Sequence, residues 1–109
     1  MPLKHIPGML KFNPEKLNKI NLFENPRFFC DVYCLMPGQE QKVHTHAAED
    51  KVYYVLSGDV TFRDGVDDVA GAAGDALWAA AGEEHGVRNS GEANATLLVF
   101  MAPHPRLTE

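Results

Sequence analysis

Residues 38–58 read GQEQKVHTHAAEDKVYYVLSG, and they decide the fold. His44 and His46 flank Thr45, and the run KVYYVL follows before Ser57 and Gly58 close the segment. Residues two apart on a strand share a face, about 6.6 Å apart along the chain. Two imidazoles so placed can converge on one ion with bonds of about 2.0–2.1 Å. Lys51–Leu56 is rich in Tyr and Val, as strands are, and Ser-Gly is a turn signal. The segment therefore predicts two strands, Gln41–His46 and Lys51–Leu56.

The same rhythm extends in both directions. Phe28–Leu35 is an apolar run ended by Pro37-Gly38. Further short strands are expected at Val60–Phe62, Val66–Ala70, Asp75–Ala79, Gly86–Asn89 and Thr96–Met101, separated by Gly-rich turns. The Ala-rich stretch Ala70–Ala81 is broken by Gly71 and Gly74, which disfavours a helix. About eight short strands with almost no helical periodicity define an all-β class: sandwich, barrel or jelly roll. Residues 1–27 read as irregular, with one helical turn expected at Asn13-Pro14-Glu15. Residues 28–102 form the expected barrel, and 103–109 a mobile tail.

The chain has 109 residues, enough for one domain with one core. Its 10 Lys and Arg against 15 Asp and Glu give a net charge of −5, which repels phosphate backbones and anionic lipid. No nucleic-acid or membrane role is expected, and no apolar run approaches the ~20 residues of a bilayer span. Nothing at the N-terminus resembles an export signal, so a cytoplasmic protein is the simplest expectation. Cys30 and Cys34 lie four apart on a predicted strand, about 13 Å, too far for a disulfide, and are read as reduced thiols.

A second segment, residues 74–89, reads GDALWAAAGEEHGVRN. The first segment gives G-x5-H-x-H-x4-K-x6-G, on Gly38, His44, His46, Lys51 and Gly58. The second gives G-x5-A-x-G-x2-H-x3-N, on Gly74, Ala80, Gly82, His85 and Asn89. This pair resembles the two motifs of the cupin superfamily, G-x5-H-x-H-x3–4-E-x6-G and G-x5-P-x-G-x2-H-x3-N. The resemblance spans roughly residues 36–101. It implies a single-domain cupin β-barrel, a double-stranded β-helix of jelly-roll type. It also implies a metal near one end, held by His44, His46 and His85. The cofactor so implied is a divalent transition metal: Zn, Fe, Mn, Ni or Cu.

Ala80 replaces a proline, a change in turn stiffness. Lys51 replaces the glutamate that would be the fourth ligand, and an ammonium donates but cannot ligate. Three arrangements follow. Three histidines and water hold the metal; or a shifted register brings in Glu49 or Asp50; or the site is metal-free and Lys51 with its neighbouring histidines binds an organic anion. With Lys51 facing inward, alternation turns Tyr53 inward too, and Trp78 on a neighbouring strand is the candidate wall. Lys51, Tyr53 and Trp78 are thus the candidate substrate-binding residues. Arg63 and Arg88 are expected to be exposed, Glu83-Glu84 to be a solvated turn, and His5 and His104 to have no role.

Two function classes follow. One is a metal-dependent enzyme of dioxygenase or isomerase type acting on a small organic molecule. The other is a non-catalytic, metal-free module that binds or senses a small ligand through Lys51. The resemblance also implies a homodimer, and Leu3, Ile6, Met9, Leu10 and Phe12 supply apolar groups for it near the N-terminus.

Overall fold

The computed structural model describes residues 1–106. Nine strands form: β1 Asn18–Asn25, β2 Phe28–Leu35, β3 Glu40–His44, β4 Asp50–Ser57, β5 Asp59–Arg63, β6 Asp68–Ala72, β7 Ala76–Ala79, β8 His85–Asn89 and β9 Ala95–Ala102. They make two antiparallel sheets, ordered β1-β2-β9-β4-β7 and β3-β8-β5-β6. The all-β expectation holds, and each of the eight expected strands is present with bounds moved by a residue or two.

Alternation builds the core. On β4, Lys51, Tyr53 and Val55 are buried while Tyr54 is exposed. Their partners Leu97, Val99 and Met101 on β9 are buried as well. Tyr33, Leu35, Val60, Phe62 and Val87 complete the interior between the sheets. Burying such side chains is worth roughly 1.5–3 kcal/mol each, the main force closing the barrel. The turn from β4 to β5 needs Gly58: its φ is +89°, and a Cβ there would lie 2.7 Å from the Ala95 Cβ.

The N-terminal region corrects the expectation of irregularity. Residues 18–25 form β1, paired with β2, and the short 3-10 helix lies at Ile6–Met9. At Asn13-Pro14-Glu15 the chain makes a turn rather than a helical turn, with the Glu15 N–H donating to Asn13 Oδ1 at 2.9 Å. Ile6, Met9, Leu10 and Phe12 pack on Leu22, Val32 and Cys34, forming a second apolar cluster on the outer face of β1 and β2. These groups cover the chain's own sheet, so they no longer argue for a partner. Leu3 remains exposed.

The C-terminal expectation is corrected as well. His104 is 1% exposed, and its N–H donates to the Pro26 carbonyl at 3.3 Å, so the chain beyond β9 is docked there. Residues 107–109 of the expected tail lie outside the described residues. Both cysteines are free thiols. Among the described residues, no helix is long and apolar enough to cross a membrane.

Candidate metal centre and ligand pocket

Two strand ends and a loop bring the histidines together. His44 ends β3 and His85 begins β8, and the two are register partners. A β-bulge between Gln41 and His44 shifts the register just before that pair. His46 lies two residues beyond the end of β3, not on it as the HxH spacing predicts. The loop is fixed instead by the Gly82 N–H, which donates to the His46 carbonyl at 2.8 Å. Ring centroids are 4.3 Å apart for His44 and His85, 4.9 Å for His44 and His46, and 5.5 Å for His46 and His85. One potential ligand atom from each lies within 4.8 Å of the others.

The surroundings set the tautomers. His44 Nδ1 lies 2.7 Å from the Lys42 carbonyl, and His85 Nδ1 lies 3.0 Å from the Glu83 carbonyl. A carbonyl only accepts, so each Nδ1 carries the proton and each Nε2 keeps its lone pair. His46 Nδ1 faces Glu49 Oε1 at 3.8 Å. Such oxygen partners behind a ring orient it for a metal. Burial holds the basicity of all three below the usual imidazole range, His85 furthest at about 4. The rings are therefore neutral near pH 7, which is the ligating form. His85 Nε2 is buried with no hydrogen-bond partner among the described residues. A buried lone pair left in this way is uncommon, and a bound cation would satisfy it. The donor set fits a divalent transition ion with open positions.

Among the described residues, no carboxylate joins the cluster. Asp50 Oδ1 instead accepts the Ala81 N–H at 2.9 Å. Lys51 is 1% exposed. Its Nζ donates to Gln41 Oε1 at 3.0 Å and lies 5.0 Å from the Tyr53 ring centre and 5.4 Å from that of Tyr33. Tyr53 Oη donates to the same Gln41 oxygen at 2.7 Å, and Gln41 Nε2 donates to Tyr33 Oη at 3.1 Å. Gln41 thus receives two donors on one oxygen and holds the ammonium in place. Burial lowers the Lys51 pKa to about 7, with Lys19 adding to the effect and Asp31 opposing it.

A pocket of about 420 Å³ opens on this layer, lined by Lys19, Lys42, Lys51, His44, His46 and Tyr33 among others. Among the described residues its wall carries three lysines and no carboxylate, in a chain of net charge −5. Gln41, Tyr33, Lys19 and Lys42 escape the sequence reading. Gln41 stands three residues before His44, but nothing in the spacing says that it binds Lys51. Trp78 does not line this pocket. It opposes Val52, points to the outer face at 66% exposure, and borders a separate recess of about 150 Å³ that includes His85. Arg63 and Arg88 are exposed, as expected.

Two facing antiparallel sheets with histidines converging from two motifs define a class, the double-stranded β-helix proteins with a histidine cluster at one end. Residues 31–101 match the cupin domain family, and the chain belongs to it. The oxalate-binding protein of Thermotoga maritima is 33% identical over 85 residues, covering 78% of this chain and 69% of that protein. A solved protein of Thermus thermophilus is 47% identical, covers 96% of this chain and 100% of its own, and superposes with a TM-score of 0.91. A double-stranded β-helix protein from Klebsiella pneumoniae shares the fold at 22% identity, with a TM-score of 0.89 and coverage of 96% and 92%.

Proposed function

We propose that this cupin binds a divalent transition metal through His44, His46 and His85 and admits a small carboxylate beside it, anchored by Lys51. The observation that carries the metal reading is the buried, partnerless His85 Nε2 facing two further imidazoles. When bound, such an ion supplies Lewis acidity toward an anionic oxygen. The protein's own part is charge and position. Lys51 donates to the ligand, Gln41 and Tyr53 fix Lys51, and Lys19 and Lys42 at the rim attract anions. The similarity to an oxalate-binding protein supports a ligand of this class. Trp78 is proposed only as a contact at the recess beside His85. Turnover of the dioxygenase or isomerase type would use the same centre, and the binding step is the part these residues support.

A second reading, a metal-free anion binder, is favoured by the buried ammonium of Lys51. Calorimetric titration of oxalate separates the two. The metal reading predicts binding to zinc-loaded protein, loss after chelation, and an affinity at least about tenfold weaker in Lys51→Met, the scale of one charged hydrogen bond. Equal binding to loaded and stripped protein assigns the site to Lys51 alone, and no binding to either refutes the carboxylate.

The homodimer and the cytoplasmic setting belong to this proposal too. Tyr54, Trp78 and Phe100, exposed on one outer face, support the dimer. Sedimentation at micromolar concentration should give twice 12.0 kDa, and a 12.0 kDa species contradicts the dimer.

A further inference from the structure

The chain beyond β9 reaches the pocket. Beyond β9, Pro105 is part of the pocket wall, together with Phe29, Met101 and Lys51. What places Pro105 there is His104. Its ring is buried, its Nε2 lies 2.8 Å from Glu24 Oε2, and its Nδ1 accepts the Arg106 N–H at 3.1 Å. An Nδ1 that accepts leaves the proton on Nε2, so the imidazole donates to the Glu24 carboxylate, a charge-assisted bond. The same ring meets Phe29 edge-on, with centroids 5.5 Å apart. Phe29 and Met101 are register partners on β2 and β9, so the wall is continuous from sheet to tail. The imidazole is thus pinned to the end of β1 by Glu24 and to β2 by Phe29. It fixes the segment that sets Pro105 in the pocket wall.

We infer that residues 103–106 are a wall of the ligand pocket, held by the His104–Glu24 pair, and that this wall limits the size of molecule that reaches Lys51. The role assigned to the wall rests on the reading that a ligand enters here. Its test needs neither ligand nor metal. Lys51 is acylated with sulfosuccinimidyl acetate and, separately, with the larger biotinylated ester, and the modified sites are mapped by mass spectrometry. In the wild type, Lys51 should react slowly, and slower still with the larger reagent. His104→Ala should raise the rate with the larger reagent about tenfold or more, as loss of a hydrogen bond to a charged group shifts local opening. Pro105→Gly, which leaves the anchor intact, should raise it as well. Glu24→Ala should behave like His104→Ala, whereas Glu24→Gln keeps an acceptor and should stay near wild type. Exposed Lys16 serves as the internal standard, and an unchanged circular-dichroism spectrum shows that the fold is intact. Wild-type rates at Lys51 with both reagents in His104→Ala and Pro105→Gly would overturn the inference. They would leave the metal reading untouched.

Discussion

Lys51 stands where the family pattern has a glutamate, and its burial makes the departure measurable. Its folded pKa, about 7, lies below the unfolded value near 10.5. Below about pH 7 both states are charged and the full burial penalty opposes folding. Between about 7 and 10.5 the unfolded chain binds more protons, so stability rises with pH there. Lys51→Met removes this contribution. Urea unfolding of both proteins from pH 6 to pH 10 should therefore show the variant's stability advantage shrinking above pH 7, by up to about 1.4 kcal/mol per unit. A pH-independent difference would mean that Lys51 is hydrated in the folded protein. The histidines were legible in the sequence because motif spacing fixes them. Gln41 and Tyr33 were not, since the bonds of Gln41 to Tyr33, Lys51 and Tyr53 link β2, β3 and β4, which only folding brings together. Trp78 borders the recess beside His85 rather than the pocket of Lys51, and alternation alone does not distinguish the two. Alternation gives a face within one strand, but the register of β7 on β4, Ala79 opposite Lys51, comes from tertiary pairing.

At the scale of elements, the centre depends on how closely β3 approaches β8. A Cβ on Gly86 would lie 2.7 Å from the Gln41 carbonyl oxygen and 2.9 Å from the Val43 nitrogen. Both atoms are backbone of the bulge that brings His44 opposite His85. Gly86→Ala should therefore push β3 outward, destabilise the fold by about 1–3 kcal/mol, and weaken zinc binding as well. Urea unfolding and zinc titration check both effects, and a variant with wild-type values would show that the bulge has room to move. β1 was missed because NKINLFEN carries three asparagines, which strands disfavour. Pairing with β2 and cover from Ile6, Met9, Leu10 and Phe12 outweigh that local preference. The other strands were legible because glycine turns and β-branched or aromatic runs agree with the tertiary structure.

The whole molecule combines an acidic surface with a lysine-lined mouth. The net charge of −5 disfavours polyanionic partners, while Lys19, Lys42 and Lys51 gather positive charge at one place, the pocket mouth. Everything proposed for that place begins with the three imidazoles. The most direct test is metal content, measured by elemental analysis after purification without chelator and again after reconstitution, for the wild type beside His44→Ala. One equivalent of a divalent transition ion is expected in the wild type, and its loss in the variant. Less than about a tenth of an equivalent in the reconstituted wild type would contradict it, since imidazole sites hold such ions well.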